Sequence, residues 1–545
     1  MDRRMLLSVP LTIVKRILFL FCLALSWSAA GSLLGGERPA PSVRVDGGLI
    51  SGVILDAESK IRAYKGVPFA APPVGTLRWK PPQPVKPWDG IRTCTKAGSA
   101  CPQPKQMVFG NETIEQSEDC LYLNIWTPAK GADAGLPVMF WIHGGGFTTG
   151  TGGLRFYDGE SLARKGVVVV TINYRLGPLG FMAHPLLTQE SKNGSSGNYG
   201  LLDQIHALKW VQRNIKAFGG NPECVMIFGE SAGAVSVAQL MVTPLAKDLF
   251  HRALAQSGGP GANCRKLKER SGKLESGEAM GERLAGLLGC KDGPDPLAKL
   301  RAKTPEEILK AADPAQGLFG KGMKFGPVVD GWVLPDDPRR MWEQGKQHPV
   351  PFVAGSNADE GTIFLKQLPI KRVLGYKLVV RTMFRSHAQE ILRLFPSEND
   401  EDVPQALNKL TSVTAFIHPA RFMVRSMERI RKPAGLYFFT RVPDLAKSMK
   451  LGAFHGLEIA YVFGNARPEM KLGAMDRKLS DTMRAYWVNF ARTGNPNGTG
   501  LPKWPVYDAE KDEHLELGDE VQAKAGLYRE ACDLLDKLRR EQGTP

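Results

Sequence analysis

The sequence predicts an α/β protein with a mostly parallel central sheet and helices on both faces of that sheet. Two observations predict this class: short apolar runs typical of strands buried on both faces, and helical patterns that lie between them. Strands that alternate with helices form right-handed crossovers and therefore a parallel sheet. The 545 residues are 43% hydrophobic and 23% charged, a composition that excludes a disordered or fibrous chain.

The first half of the chain contains the clearest elements. Continuous apolar runs predict strands at Pro137–Ile142, Val167–Ile172 and Val225–Phe228. Between the last two runs, Leu201–Ile215 carries apolar residues at the spacing of one helix face. Ser42–Leu55 alternates like a hairpin, and we expect it to form an antiparallel edge of the sheet.

The second half continues the alternation with shorter apolar runs. Further strands are expected at Ala253–Gln256, Pro351–Ala354 and Leu436–Thr440. Two segments rich in Lys and Arg, at about 265–312 and 365–431, are predicted to be helical insertions. No Gly/Ser/Pro-rich linker is long enough to separate two domains, so residues 31–545 are expected to form a single domain.

The N-terminus has the pattern of a secretory signal peptide over residues 1–30. A basic start is followed by the short apolar run Ile17–Leu25 and by small residues that end at Ala30. The alternative is an uncleaved membrane anchor, but the run is shorter than the roughly 18 apolar residues that a span needs. The pattern therefore predicts a secreted or periplasmic protein without stable membrane insertion.

The charge balance is basic, with 71 Lys and Arg against 55 Asp and Glu and a net charge of +16. Residues 1–30 hold four bases and one acid, so their removal leaves +13. A basic balance is compatible with nucleic acid, an anionic membrane or an acidic substrate as partner. Because no nucleic-acid-binding motif accompanies the charge, we expect no nucleic-acid partner.

The chemistry of the chain is most visible in Gly229-Glu230-Ser231-Ala232-Gly233. This G-x-S-x-G motif follows the strand Val225–Phe228 and precedes an apolar helical run, Ala234–Met241. A tight strand-to-helix turn of this kind holds its serine in a strained, exposed position. The motif therefore predicts Ser231 as a nucleophile, with an ordinary turn as the alternative.

A second motif, His143-Gly144-Gly145-Gly146-Phe147, directly follows the strand Pro137–Ile142. Consecutive glycines let backbone N–H groups approach a substrate oxygen closely, as an oxyanion hole requires. We assign the donors as the N–H groups of Gly145, Gly146 and Ala232. The alternatives are a phosphate-binding loop, which lacks the G-K-[ST] sequence that should follow, and a plain glycine turn.

A hydrolase with these motifs places an acid and then a histidine after the serine. Asp359 and Glu360 follow the strand Pro351–Ala354, and the residues alone leave the choice between them open. His455 is the favoured base because it lies in a loop between small residues; the other downstream histidines are His387, His418 and His514. No spacing typical of metal ligands is present, and neither a metal nor a cofactor is expected.

These motifs, together with others, resemble the type-B carboxylesterases, an α/β-hydrolase family that includes cholinesterases and bile-salt-type lipases. The two signature stretches are Phe218–Pro222 leading into the GESAG turn and Glu118–Trp126 (EDCLYLNIW). Similar stretches occur, in the family's order, at Tyr64–Pro73, Asn173–Phe181, Gly200–Gln204, Ala255–Gly258 and His455–Gly464. The resemblance covers about residues 42–508.

The resemblance implies an α/β-hydrolase fold and a serine carboxylic-ester hydrolase that acts through an acyl-enzyme intermediate. It implies Ser231 as nucleophile, Glu360 as acid, His455 as base, and Gly145, Gly146 and Ala232 as the oxyanion hole. It also implies a disulfide between Cys101 and Cys120. Cys94 competes for Cys120, and a Cys264–Cys290 pair could replace the family's second disulfide.

The substrate is expected to be a small-molecule ester. No Trp lies between Gln103 and Glu118, where cholinesterases place an aromatic residue for choline, so a cholinesterase is not expected. Basic residues in 265–273 and 366–385 suggest an ester that carries carboxylate groups. The alternatives are an interfacial lipase of the same fold and a non-catalytic binding module.

Overall fold

A computed structural model describes most of the chain from residue 38 onward. The described residues are 38–55, 58, 60–104, 115–261, 264–272, 274–316, 318–365, 368–466 and 470–541. The predicted signal peptide, residues 1–30, lies outside them.

The strands of the described residues, in chain order, are β1 (Arg38–Pro39), β2 (Val43–Val45), β3 (Gly48–Ser51), β4 (Val53–Ile54), β5 (Arg62–Pro68), β6 (Ile91–Thr93), β7 (Tyr122–Thr127), β8 (Leu136–Ile142), β9 (Val168–Ile172), β10 (Gly220–Glu230), β11 (Arg252–Gln256), β12 (Arg265–Lys266), β13 (Val328–Val329), β14 (Phe352–Asn357), β15 (Ala434–Phe439), β16 (Glu513–Leu517) and β17 (Val521–Ala525).

The α-helices of the described residues are α1 (Glu160–Ala163), α2 (Gly177–Phe181), α3 (Pro185–Glu190), α4 (Tyr199–Asn214), α5 (Ala232–Leu240), α6 (Gly277–Leu287), α7 (Pro296–Ala302), α8 (Pro305–Ala312), α9 (Pro338–Glu343), α10 (Thr362–Leu365), α11 (Val373–Phe384), α12 (Ala388–Leu394), α13 (Val403–Ser412), α14 (His418–Arg429), α15 (Asp444–Ser448), α16 (Ile459–Phe463), α17 (Ala474–Thr493) and α18 (Arg529–Glu541). A π-helical segment, Val413–Ile417, joins α13 to α14.

One 12-stranded sheet organises the molecule in the order β1-β4-β5-β7-β9-β8-β10-β11-β14-β15-β16-β17. The strands from β9 to β16 in this order are all parallel to their neighbours. Antiparallel strands flank this block, namely β1, β4, β5 and β7 on one side and β17 on the other. The predicted mostly parallel α/β sheet is therefore confirmed.

Both faces of the parallel block are buried. In β8 the side chains of Phe140 and Ile142 enter one hydrophobic core, while those of Met139 and Trp141 enter the other. Helix α4 covers the first face and α17 covers the second. Since each fully buried large apolar side chain contributes about 1.5–3 kcal/mol, these two cores stabilise the sheet between its helices.

The expected hairpin at Ser42–Leu55 forms, but it does not lie at the edge of the main sheet. Strands β2 and β3 pair antiparallel, and β6 then pairs with the free side of β3 to make a separate three-stranded sheet. The Trp88 indole donates to the carbonyl of Leu49 and fixes the segment that leads into β6. Only β4, at the end of the segment, joins the main sheet.

The two basic segments contain helices, as the sequence predicts. Helices α6 to α8 lie within 265–312, and α11 to α14 lie within 365–431. Within the described part of the chain, no helix is both long and apolar enough to cross a bilayer.

Cys101 and Cys120 form a disulfide with their Cα atoms 5.0 Å apart. Cys94, which competes for Cys120 at the level of sequence, is a free buried thiol. Cys264 and Cys290 are also free, so the alternative second disulfide does not form. Instead, the Cys264 sulfur accepts a hydrogen bond from the side-chain amide of Gln239, while the Cys290 thiol lies 3.4 Å from the carbonyl of Leu288.

Candidate active site

The turn that carries Ser231 is the sharpest feature at the carboxyl edge of the sheet. Strand β10 ends at Glu230, Ser231 has φ 56° and ψ −121°, and α5 begins at Ala232. A positive φ at a residue other than glycine costs on the order of 1–3 kcal/mol. The backbone N–H of Ser231 donates to the carbonyl of Gln256 at the end of β11, and this bond helps to hold the strained residue in place.

Glycine is required on both sides of Ser231 because the turn packs against β8. A Cβ atom on Gly229 would lie 2.6 Å from the carbonyl oxygen of Ile142, and one on Gly233 would lie 2.0 Å from the same atom. Both distances are far inside van der Waals contact with rigid backbone. The G-x-S-x-G spacing is therefore a packing requirement of the turn.

The glycine loop that follows β8 lies directly beside this turn. A Cβ atom on Gly144 would be 3.0 Å from the Cβ of Ser231. Gly145 and Gly146 have φ values of +107° and +63°, which favour glycine. Among the described residues, no hydrogen bond is donated by the N–H groups of Gly145, Gly146 or Ala232.

His143 fixes the start of the glycine loop. Its ring is buried and stacks on Tyr174 with 4.4 Å between centroids, and the Tyr174 hydroxyl donates to the main-chain carbonyl of His143. Burial lowers the pKa of His143 to about 4, so the imidazole is neutral and its Nδ1–H donates to the carbonyl of Gly144 at 2.8 Å. The sequence predicts His143 only as part of the motif. Its position just before three glycines is the one feature of the sequence that indicates a role in holding the loop.

The acid and the histidine meet at the ends of neighbouring parallel strands. Glu360 follows β14, and its Oε1 accepts from the N–H of Asn357 at 2.7 Å. His455 lies in the loop before α16, and its Nδ1 is 2.6 Å from Oε2 of Glu360. Both side chains are buried, and an ionised carboxylate at this position orients the ring and leaves Nε2 as the free nitrogen.

Asp359, the other acid that the sequence offered, has a different position. Its Oδ2 accepts from the N–H of Ala453, and its Oδ1 accepts from the side-chain amide of Asn408. The Asp359 backbone also pairs with Phe454 as an isolated parallel bridge. Asp359 therefore holds the loop that carries His455, while Glu360 contacts the imidazole itself.

Two further buried carboxylates, Glu230 and Glu458, surround His455, and sequence reasoning did not assign them a role. Oε1 of Glu230 lies 3.0 Å from His455 Nε2, without hydrogen-bond alignment. Glu458 accepts from the side-chain amides of Gln256 at 2.9 Å and Asn357 at 2.6 Å. Glu230 lies within GESAG and Glu458 within HGLE, and these positions next to predicted catalytic residues are what the sequence offers to indicate a role for them.

These carboxylates set the electrostatics of the histidine. Burial alone would lower the pKa of His455, but the charges of Glu230 and Glu360 raise it above its ordinary 6.5. Burial also raises the pKa of Glu230, and the neighbouring Glu458 and Glu360 add to that effect. The carboxylates that face His455 therefore favour its protonated form.

Aromatic side chains cover the exposed side of the imidazole. The ring centroids of Phe364, on α10, and Phe416, in the π-helical segment, lie 5.0 Å and 4.8 Å from that of His455. Phe416 belongs to the second basic insertion, and Phe364 directly precedes it. An apolar wall at this position excludes water from the histidine and strengthens its contacts with the carboxylates.

The structure brings together most of the residues that the sequence singles out. Glu360 and His455 are hydrogen bonded, and the Ser231 turn and the glycine loop are adjacent. His455 Nε2 has no hydrogen-bond partner among the described residues, so the hydroxyl of Ser231 is not bonded to it here. His387, His418 and His514 lie elsewhere; the first two contact Glu541 and Asp536 of α18. The described residues contain no cluster of His, Cys, Asp and Glu suited to a metal ion.

Comparison with known proteins identifies the class to which this architecture belongs. A model of the carboxylesterase family matches residues 39–535. A fumonisin B1 esterase from Sphingopyxis macrogoltabida is 40% identical over 488 residues, 88% of this chain and 87% of that protein. A para-nitrobenzyl esterase from Bacillus subtilis (strain 168) is 36% identical over 487 residues, 85% of this chain and 92% of that protein.

A solved structure titled PNB esterase superposes with a TM-score of 0.76 at 32% identity, covering 90% of this chain and 99% of that one. The fold is therefore the α/β-hydrolase fold. The chain belongs to the carboxylesterase family and is a carboxylic ester hydrolase.

Proposed function

We propose that the protein hydrolyses small carboxylic esters through an acyl-enzyme intermediate formed on Ser231. The observation that carries the proposal is the 2.6 Å contact between Glu360 and His455, which lie beside the strained turn at Ser231. A nucleophile next to a base that a third group orients is the general arrangement for covalent ester hydrolysis.

The proposed reaction uses these groups in turn. His455 Nε2 takes the proton of Ser231 as the serine oxygen attacks the ester carbonyl, and the carbonyl oxygen becomes an oxyanion. The N–H groups of Gly145, Gly146 and Ala232 donate to that oxyanion, and each such donor contributes about 2.7–4 kcal/mol in the transition state. His455 then protonates the leaving alcohol, and a water molecule activated by the same nitrogen cleaves the acyl-enzyme. Glu360 stabilises the imidazolium throughout.

Replacement of the serine tests the mechanism. Ser231→Ala should lower kcat for a p-nitrophenyl ester by about 10⁴-fold or more, and it should abolish labelling by a fluorophosphonate probe. Ser257→Ala is the matched control, because Ser257 directly follows the neighbouring strand β11 with φ 56°, and its buried hydroxyl has no partner among the described residues. Turnover retained in Ser231→Ala, or a labelled Ser231→Ala protein, would contradict the proposal.

The substrate proposed is an ester that carries carboxylate groups. Of the two basic segments in the sequence, the first uses part of its charge internally: Lys266 pairs with Glu269, and Arg265 donates to the carbonyl of Glu275. The second segment presents Lys377 and Arg381 on α11 without an ion pair to any described residue. Free cations of this kind steer anions toward a site over distances near the Debye length, about 10 Å at 0.1 M salt.

Steering predicts a dependence on both charge and salt. The kcat/KM for an anionic ester should exceed that for a neutral ester of matched shape, and this preference should shrink as NaCl is raised. Lys377→Gln/Arg381→Gln should reduce kcat/KM for the anionic ester alone. Equal kcat/KM for the two esters at low salt would contradict the carboxylate preference, while leaving the serine mechanism intact.

Export is part of the proposal. The pattern of residues 1–30 and the Cys101–Cys120 disulfide support it, because disulfides persist in oxidising compartments outside the cytosol. Mass spectrometry of protein recovered from the periplasm or medium should find an N-terminus at Gly31. Full-length protein retained in the cytosol with both thiols reduced would contradict export.

A further inference from the structure

Helix α11 exposes an unusual amount of apolar surface. Leu374 is 78% exposed and Leu378 is 64% exposed, and Met383, near the end of the helix, is 60% exposed. These three are among the most exposed large hydrophobic side chains in the described part of the molecule. Helical spacing places Leu374, Leu378 and Arg381 on one face, since they stand at i, i+4 and i+7.

The opposite face of α11 anchors the helix to the protein. Tyr376, Val380 and Phe384 are buried, and the Tyr376 hydroxyl donates to the carbonyl of Phe395 at 2.6 Å. The exposed leucines are therefore not core residues displaced outward. They belong to a fixed helix whose second face has no partner among the described residues.

The sequence segment that carries the leucines is rich in cations and free of acids. Five cations lie on or beside the helix, and no acidic residue occurs in the sequence from 366 to 389. These cations are Lys371, Arg372, Lys377, Arg381 and Arg385, and none of them forms an ion pair with a described residue. Two acids from later in the chain lie near the ends of the helix: Asp400 accepts from the N–H of Val373 at its start, and Glu390 lies 3.6 Å from His387 beyond its end. The cations on and beside α11 outnumber them.

This combination defines the chemistry of the partner. Protruding leucines need an apolar medium, and the cations at their level need anions. A second copy of the chain docking through the same face would bring two sets of unpaired cations together, so self-association is disfavoured. Anionic headgroups above an acyl-chain layer satisfy both needs at the depth where a short amphipathic helix lies.

We propose that the exposed face of α11 docks the protein onto an anionic lipid bilayer as a peripheral contact. The leucines enter the boundary between headgroups and acyl chains, and the cations pair with lipid phosphates. The helix lies eight residues beyond α10, whose Phe364 contacts His455. Docking would hold the enzyme at the membrane surface without any segment crossing it.

Vesicle flotation tests the proposal with the intact mature protein. Wild type should float with vesicles of phosphatidylcholine and phosphatidylglycerol, should remain behind with phosphatidylcholine alone, and should be released by high salt. Leu374→Ser/Leu378→Ser, which keeps every cation, should weaken binding to the anionic vesicles about tenfold or more. Lys377→Gln/Arg381→Gln should weaken it as well.

Leu287→Ser is the matched control, because Leu287 is 61% exposed on a different helix, α6. It should bind vesicles like wild type. The two leucine variants should retain the thermal midpoint of wild type and its turnover of a neutral, water-soluble ester, which excludes misfolding; for Lys377→Gln/Arg381→Gln the thermal midpoint alone is the check of folding. The leucine variant should also keep its preference for anionic esters, so this result is independent of the carboxylate proposal.

Three outcomes would overturn the proposal. The first is wild type that does not bind vesicles containing phosphatidylglycerol. The second is a leucine variant that binds them as tightly as wild type. The third is a concentration-dependent dimer in analytical ultracentrifugation that the leucine changes abolish, since this would assign the face to a second copy of the chain.

Discussion

The carboxylate of Glu230 faces His455, the proposed base, and raises the pKa of its imidazole. Its Oε1 lies 3.0 Å from His455 Nε2, the nitrogen that must be unprotonated to accept a proton from Ser231. A negative charge there favours the imidazolium, which is one reason why the pKa of His455 is raised. The acid limb of the pH–rate profile should therefore lie above the ordinary histidine pKa of 6.5.

Glu230→Gln should move that acid limb to lower pH. The substitution removes the negative charge, the pKa of His455 falls, and the neutral imidazole persists at lower pH. The pH dependence of kcat/KM for a neutral ester measures the shift. Glu223→Gln, on the same strand but with its side chain 81% exposed, is the control and should leave the profile unchanged. A limb that stays in place or moves upward in Glu230→Gln would contradict this account.

Glu360 and Asp359 can be separated by matched amide substitutions. Glu360→Gln should reduce kcat by about 10⁴-fold, because a neutral amide neither orients the imidazole correctly nor stabilises its charged form. Asp359→Asn should reduce kcat much less and should mainly lower the thermal midpoint, since it disturbs a buried bond to Ala453. Steady-state kinetics and thermal unfolding of both variants check the difference. Equal losses of kcat would show that the two acids act together.

Among the residues of the site, those in short continuous motifs could be predicted from the sequence more fully than isolated side chains. The serine turn and the glycine loop are each continuous in sequence, so their geometry follows from short-range sterics. The choice between Asp359 and Glu360 depends on how the turn after β14 meets the loop at 453–455, almost a hundred residues later. That contact cannot be read from either segment alone. The same reason explains why the role of Glu458 was missed.

The turn from β10 into α5 is the element on which the site depends most. Gly233→Ala would place a Cβ 2.0 Å from the carbonyl of Ile142, so the turn or β8 must move. We expect a loss of about 1–3 kcal/mol in stability and a larger loss of kcat, because the displaced backbone carries Ser231 and Ala232.

Gly286→Ala is the matched control on another helix. Gly286 lies in α6 with nothing within 4 Å of its Cβ position, so alanine should stabilise the protein by about 0.5–1 kcal/mol with unchanged kcat. Urea unfolding and ester turnover of the two variants provide the comparison. A Gly233→Ala protein as stable and active as wild type would show that the turn tolerates a side chain.

Among the elements, the buried strands were predicted well and the edges poorly. A continuous apolar run such as the one in β9 is stable only as a strand that is buried on both faces. The run itself therefore predicts a central position in the sheet. The predicted strand at Val225–Phe228 proved to be part of a longer strand, Gly220–Glu230, because the pairing with Leu136 extends it through polar residues. The hairpin at 42–55 forms a separate sheet because β6, more than thirty residues later, pairs with the free edge of β3. The hairpin sequence alone does not contain this pairing.

Across the whole molecule, a buried ionic cluster ties the C-terminal helix α18 to the rest of the fold. Arg421, on α14, pairs with Asp512 at 2.9 Å and with Asp533 of α18 at 2.8 Å. His418 of α14 contacts Asp536 of α18 at 2.8 Å. Arg421 and Asp512 are both buried, and Arg529 of α18 lies 3.1 Å from the other carboxylate oxygen of Asp512 but is itself partly exposed. Loss of Arg421 would therefore remove the only buried cation that pairs with Asp512 among the described residues.

Arg421→Met should therefore destabilise the protein by about 3–5 kcal/mol, because it leaves Asp512 without its main cation. Arg393→Met is the control, since Arg393 pairs with Glu530 of α18 at the surface, where each side chain is more than half exposed; it should cost less than about 1 kcal/mol. Urea unfolding monitored by circular dichroism compares the two. Similar losses in both variants would show that the buried cluster does not hold α18 in place.

The free thiol of Cys224 offers a site for covalent labelling that lies away from the active site. Cys224 stands in β10 seven residues before Ser231, a distance of about 23 Å along an extended strand, at the end of the sheet opposite the site. It is partly exposed, whereas Cys94, Cys290 and Cys532 are buried and burial raises the pKa of Cys264 to about 12. A maleimide dye or a solid support coupled at Cys224 would therefore leave the approach to Ser231 clear, and an immobilised form of the enzyme should need no engineered cysteine.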